Sequence, residues 1–175
     1  MSARAKAVFL DRDGVINRMY FRKGAYRSPQ EPSEWAYLDG VEATLQALRD
    51  RGYLLLVCTN QPDVARGWLR REVVDEFHRR LATDLPVSRI YACFHDDASA
   101  CACRKPKPGM LLQGGEEFHV DLAQSWMVGD RWKDIEAGRA AGCRTVYLRH
   151  DHDQEASGGP DFEIRALPEL LEIIR

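Results

Sequence analysis

AVFLDRDG, residues 7–14, is an unbroken apolar run that stops at two acids and a glycine. A run this short, with no polar alternation, reads as a strand buried on both faces, as in parallel sheets. Asp11 and Asp13 follow with one residue between them, and in extended chain that spacing sends both side chains to the same side. Gly14 then lets the backbone turn. The pattern recurs along the chain. Leu54 to Cys58 ends in TNQ, Ile90 to Phe94 gives a third run, Trp126 to Val128 ends in GDR, and Thr145 to Leu148 gives a fifth, with DFEI at 161–164 as a weaker sixth. Helical spacings lie between: Val41, Leu45 and Leu48 closed by Gly52; Val73, Val74, Phe77 and Leu81; Met110 to Phe118; and Ile135 to Ala141 closed by Gly142. Pro168 suits the first turn of a last helix. Strands alternating with helices predict right-handed crossovers and a three-layer, Rossmann-like α/β fold, whose mostly parallel sheet is covered on both faces. Ligands of such sheets bind beyond the carboxyl ends of the strands.

Composition narrows the function. With 175 residues, 45% of them hydrophobic, the chain reads as a single domain over 1–175. Its 25 basic and 27 acidic residues leave a formal charge of -2, so no broad basic field invites nucleic acid or an anionic membrane. No segment approaches the roughly 20 apolar residues of a spanning helix, and the first residues do not read as a signal peptide. A cytoplasmic monomer is expected. In that compartment thiols stay reduced, so the five cysteines favour metal binding or catalysis over disulfides. Residues 17–38 and 96–109 exceed ordinary connections and read as functional loops or flaps. RHDHDQEASGGP, 149–160, reads as a polar surface loop.

Asp11 and Asp13, joined by Asp130 after the fourth run, form an oxygen-rich set of the kind magnesium prefers. Each alone is also an ordinary turn former. Beside the Thr59 hydroxyl and the Lys105 ammonium, the set suits a phosphoryl group. A second set is Cys93-x-His95 followed by Cys101-x-Cys103, the ligands of a closed tetrahedral zinc site, read against a chance cluster of reduced thiols. Zinc there would fix a long loop and aim Arg104, whose planar donors suit a phosphate or hydroxyl pair. Zinc is thus expected to be structural and magnesium catalytic. Arg18, Arg22, Lys23 and Arg27 read either as a contact for a second phosphate or as a solvated charge run. Cys58 and Cys143 read as core residues. His78, His119, His150 and His152 have no partner that the sequence identifies.

FLDRDGVIN, VCTNQ, CRKPKPG and VGDRWKDIEAG, in that order, resemble the four motifs of the haloacid dehalogenase superfamily and together span most of the chain. The resemblance implies that Asp11 is the nucleophile forming an aspartyl-phosphate and Asp13 the general acid and then base. It further implies that Thr59 and Lys105 hold the phosphoryl oxygens, that magnesium is bound by Asp11, the Asp13 backbone carbonyl and Asp130, and that Asp134 orients Lys105 or metal-bound water. Asn60, Gln61 and Arg104 would contact substrate. Within the superfamily, DRDGVIN, TNQ with a following ARG, and a Cys-x-His loop before CRKPKPGM resemble the D-glycero-D-manno-heptose 1,7-bisphosphate phosphatases. These remove the C7 phosphate of a small phosphorylated sugar on the way to nucleotide-activated heptose and lipopolysaccharide. The short zinc loop instead resembles the histidinol-phosphate phosphatases. Where the family has TNQSGIARG, this chain has TNQPDVARG. No interval between motifs has room for a separate cap domain, so an open site screened by the two long loops is expected. A zinc-stabilised binding module without catalysis is the reading from a different class.

Overall fold

Strand β1, Lys6–Leu10, lies at the middle of a six-stranded sheet in this computed structural model, which describes residues 4–151 and 158–175. A small antiparallel hairpin follows, β2 (Tyr20–Arg22) and β3 (Ala25–Arg27), and then helix α1 (Val41–Asp50) and β4 (Tyr53–Asn60). Next come α2 (Pro62–Ala65), α3 (Arg71–Asp84), β5 (Arg89–Cys93) and α4 (Gly109–Glu117). The chain closes with β6 (Trp126–Gly129), α5 (Trp132–Ala141), β7 (Arg144–Leu148), β8 (Phe162–Ile164) and α6 (Leu170–Ile173). The order across the sheet is β5-β4-β1-β6-β7-β8, every pairing parallel.

Alternation along the strands feeds two cores. Val8, Leu10, Leu55, Val57 and Val128 pack with Leu45 and Leu48 of α1, Leu81 of α3 and Leu170 of α6. Ala7, Phe9, Leu56, Cys58 and Met127 pack with Met110 and Leu111 of α4 and Ala137 and Ala141 of α5. Helices therefore cover both faces, which is why the strands read as continuous apolar runs. Each fully buried aliphatic side chain adds roughly 1.5–3 kcal/mol of transfer free energy. Gly142, at φ 86, terminates α5 in the left-handed conformation expected of a C-terminal glycine.

The chain moves from β1 to β4 and β5 on one side and then crosses to β6, β7 and β8 on the other. That reversal opens a crevice at the carboxyl end of β1, between β4 and β6. The expected elements differ in detail. β4 runs on to Asn60, so Thr59 and Asn60 belong to the strand, held by register to Ala92 and Cys93. β5 stops before Phe94. Pro168 is the second residue of a 3-10 turn, Leu167–Glu169, ahead of α6, rather than the start of the last helix. The stretch 17–38 contains the hairpin and a further 3-10 turn, whereas 96–108 carries no strand or helix. His152 and most of the loop around it lie outside the described residues. Among the described residues no separate cap domain is present, and no helix is long and apolar enough to cross a membrane.

Candidate active site

Four segments converge at the crevice. The backbone N–H of Asp11 donates to Val128 O at 2.9 Å, tying the end of β1 to β6. Gly14 sits at φ 85, and a Cβ there would lie 2.2 Å from Asp130 Oδ2, so the glycine both turns the chain and admits the carboxylate. Gly129 likewise makes room for Asp134, whose Cβ would be 2.0 Å from an added one. Lys105 reaches in from the loop before α4, 2% exposed. Its Nζ lies 2.9 Å from Asp11 Oδ1 and 2.5 Å from Asp134 Oδ1, and it donates to Cys58 O at 2.6 Å. Asn60 holds the backbone of this lysine, donating to Lys105 O at 3.0 Å and accepting from Lys105 N at 3.1 Å.

Oxygens of Asp11, Asp130 and Asp134 lie within 4.8 Å of one another, all buried. Three carboxylates against the Lys105 ammonium and the nearby Arg131 guanidinium still leave a surplus of negative charge. Burial, reinforced by Asp134 and Asp13 against the pull of Lys105, pushes the Asp11 carboxyl up to about 6. Burial also raises Asp130, with Asp11 and Asp134 adding to it. Burial would lower Lys105, but the two carboxylates outweigh it and raise the ammonium well above its usual range. Asp130 Oδ1 is buried without a hydrogen-bond partner. A buried orphan oxygen in a cluster of excess negative charge fits a hard divalent cation such as magnesium.

Asp13 has a different environment. Its Oδ1 accepts from Arg12 Nη2 at 3.0 Å and Asn17 Nδ2 at 2.9 Å; its Oδ2 accepts from Arg12 Nη2 at 3.0 Å, Ser28 Oγ at 2.9 Å and Gln61 Nε2 at 2.8 Å. Burial alone would raise this carboxyl, yet Arg12 and the neutral donors bring it below its usual range. Arg12 is itself fully buried, 5.7 Å from the ring centroids of both Trp35 and Phe77, with Nη1 3.0 Å from His78 Nε2. Burial and the Arg12 charge lower His78 to about 4, so it is neutral and accepts this bond. Thr59 Oγ1, also fully buried, accepts from Gln61 Nε2 at 2.8 Å, which leaves the hydroxyl proton free to be given elsewhere.

Asp11, Asp13, Asn60, Gln61, Arg104, Lys105 and Asp134 line one cavity of about 310 Å³; Thr59 and Asp130 are buried beside it rather than along its wall. Gln61 is anchored to Asp13 and Thr59, and Asn60 to Lys105, so both have structural tasks besides any contact with substrate. Pro62 fits the first turn of α2, and Asp63 pairs with Arg66 at 3.3 Å. Of the four basic residues in the first long loop, only Arg27 lines the cavity. Arg18 pairs with Asp39 at 3.0 Å and Arg22 with Glu34, acids that the linear reading did not connect to them. The basic rim is built instead by Arg27, Arg66, Arg104, Arg131 and Lys133. His78 and His150 do have partners, the latter with Nε2 2.7 Å from Gly14 O.

Cys93, at the end of β5, His95, Cys101 and Cys103 gather beside this rim. Cys93 Sγ is 3.8 Å from Cys101 Sγ, 3.0 Å from Cys103 Sγ and 3.5 Å from His95 Nδ1, which is 3.3 Å from Cys103 Sγ. Tetrahedral ligands of one zinc lie about 3.5–3.8 Å apart, given Zn–S near 2.3 Å and Zn–N near 2.0 Å, and a disulfide needs about 2.05 Å. The spacings are therefore close to a zinc site and far from a disulfide, and all five cysteines are free. A Cβ on Gly109 would lie 2.3 Å from Ala102 O, so that glycine lets the cysteine loop pack on the start of α4.

With this geometry, the family model of haloacid dehalogenase-like hydrolases matches residues 26–142. The chain belongs to this family. It is 33% identical over 182 residues to a D-glycero-alpha-D-manno-heptose-1,7-bisphosphate 7-phosphatase of Campylobacter jejuni, covering 98% of this chain and 97% of that protein. A D-glycero-beta-D-manno-heptose-1,7-bisphosphate 7-phosphatase of Pseudomonas aeruginosa is 36% identical over 158 residues, 87% and 86% of the two chains. The solved D,D-heptose 1,7-bisphosphate phosphatase of B. bronchiseptica, complexed with magnesium and phosphate, superposes with a TM-score of 0.78 at 30% identity, covering 97% of each chain. The protein is thus a phosphatase of phosphate monoesters. The family match begins after Asp11 and Asp13, while the Campylobacter jejuni and B. bronchiseptica relatives are similar along nearly the whole chain.

Proposed function

We propose that the protein removes the C7 phosphate of D-glycero-D-manno-heptose 1,7-bisphosphate, a step toward nucleotide-activated heptose. The observation that carries this reading is the joining, in one cavity, of the Asp11–Lys105 centre to the separate guanidiniums of Arg66 and Arg104. One phosphate would meet the first while the second remains in reach of the arginines. The identity of the sugar rests on the relatives, of which the Campylobacter jejuni protein is named for the alpha anomer and the Pseudomonas aeruginosa protein for the beta anomer.

In the proposed sequence, an Asp11 oxygen attacks phosphorus, the bond from phosphorus to the C7 oxygen breaks, and Asp13 gives that oxygen its proton. Water then loses a proton to Asp13 and attacks the phosphorus, the bond from phosphorus to the Asp11 oxygen breaks, and inorganic phosphate leaves with the Asp11 carboxylate restored. Lys105 holds phosphoryl oxygens and the Asp11 carboxylate together, and Thr59 donates its hydroxyl proton to the same group. Asp11, Asp130 and the Asp13 carbonyl would hold magnesium, which when bound offsets charge on the phosphoryl oxygens. The resting Asp13 is ionised, as the second step requires. To carry a proton for the first, it must lose some of its donors. Ser28 and Gln61, which line the cavity, are placed to turn toward substrate.

The same proposal makes Cys93, His95, Cys101 and Cys103 a structural zinc site that sets the loop bearing Arg104, and places the enzyme in the cytoplasm, where its free thiols persist. Elemental analysis of purified protein should find close to one zinc per chain, and Cys101→Ser should lower both zinc content and melting temperature. A zinc-free wild type with unchanged melting in the presence of a chelator would remove the zinc from the proposal.

The substrate is tested by comparing kcat/KM for both anomers of the heptose bisphosphate, histidinol phosphate, fructose 1,6-bisphosphate and an aryl phosphate. We expect a preference of about a hundredfold for a heptose bisphosphate, or about 2.7 kcal/mol of differential transition-state binding. Faster turnover of histidinol phosphate would replace the sugar reading.

A further inference from the structure

We propose that Asp97 is a specificity-determining residue that occupies, in the empty enzyme, the seat of the substrate's second phosphate. The proposal rests on the bisphosphate reading above and adds to it a competing anion supplied by the chain itself.

Asp97 lies two residues after His95, in the loop between β5 and α4. Its two oxygens are divided between two arginines. Oδ2 is 2.6 Å from Arg66 Nη2, and Oδ1 accepts from Arg104 Nη2 at 2.7 Å and from Arg104 Nε at 3.0 Å. All three residues line the cavity that holds Asp11 and Lys105. Two guanidiniums converging on one small oxyanion is the arrangement that recognises a phosphate. Here the oxyanion is a carboxylate.

Each arginine is also held without Asp97. Arg66 pairs with Asp63 at 3.3 Å and has its guanidinium carbon 5.3 Å from the Trp68 ring centroid. Arg104 donates from Nη1 to His95 O at 3.4 Å and follows the ligand Cys103. The arginines thus have anchors that survive the loss of Asp97, while the Asp97 side chain is 63% exposed and can swing into water. An exposed carboxylate holds its partners weakly, and a phosphate dianion brings twice the charge. Asp97 therefore neutralises the rim until a second phosphate displaces it, and a substrate with one phosphate leaves the pairing intact. The Asp63 carboxylate stays beside Arg66 in both states.

The test is Asp97→Asn, nearly isosteric and neutral, with Asp97→Ser as a second variant and zinc content and melting temperature as checks on the loop. For each protein, kcat/KM is measured for the heptose bisphosphate and for an aryl monophosphate. The expected result is a fall in KM for the bisphosphate, raising the ratio of the two specificity constants about fivefold, or about 1 kcal/mol at 1.4 kcal/mol per tenfold. A ratio that is unchanged, or that falls because Asp97 orients the arginines, overturns the proposal. A wild type that does not prefer the bisphosphate overturns the substrate reading and this inference with it, and is recognised before any variant is compared.

Discussion

Asp11→Asn should abolish turnover, lowering kcat by about 10⁴-fold or more, the scale on which loss of a catalytic nucleophile is felt. The substitution keeps the shape of the side chain and removes its nucleophilic oxygen. It also removes one of three carboxylates crowded within 4.8 Å. Burial already pushes the Asp11 carboxyl up to about 6, so a neutral amide at this position should not weaken the metal-free fold. Steady-state kinetics with magnesium and a thermal melt without it give both readouts. Near-normal magnesium-dependent turnover by the variant would show that the phosphoryl group does not pass through Asp11.

Lys105→Met carries the second large effect, and it reaches stability as well as rate. The ammonium is 2% exposed and is paired with Asp11 at 2.9 Å and Asp134 at 2.5 Å. Removing one partner of a buried pair costs about 3–5 kcal/mol because the remaining charge is left uncompensated. Here two carboxylates lose their cation, and Cys58 O loses a donor. Loss of a preorganised cation at the phosphoryl oxygens should also lower kcat by roughly 10²–10³-fold. Urea denaturation and initial rates check the two effects separately. Lys105→Arg should not restore activity, since a planar guanidinium does not reproduce the compact point charge that meets Asp11, Asp134 and Cys58 O. A methionine variant as stable as the wild type would mean that Lys105 does not balance the carboxylates.

The strand ends were legible because their pattern is local. AVFL before Asp11, LLLVC before Thr59 and WMV before Gly129 each announce a buried parallel strand, and whatever follows such a strand faces the crevice. The cysteine cluster was legible for the same reason, since Cys93, His95, Cys101 and Cys103 fall within eleven residues. What surrounds Asp13 was not. Arg12 looks like a surface charge between two acids, and its full burial depends on Trp35, Phe77 and His78, contributed by segments far along the chain. Asn17 closes the FLDRDGVIN motif but was given no task there, Ser28 belongs to no motif, and the bonds of both to Asp13 arise only when the loop after β1 folds back over the strand end. The charge pattern of the first loop misled for a related reason. Arg18 and Arg22 are answered by Asp39 and Glu34, pairings fixed by tertiary geometry rather than by spacing. Arg66 reaches the rim from the end of α2, and Arg131 and Lys133 from the start of α5, so no single charge run marks them.

The most direct test is product analysis of wild-type protein acting on D-glycero-D-manno-heptose 1,7-bisphosphate with magnesium, followed by phosphorus NMR. Inorganic phosphate should appear together with a heptose that keeps its phosphate at C1, for at least one anomer. Release of the C1 phosphate, or no turnover of either anomer alongside hydrolysis of another monoester, would contradict the assignment.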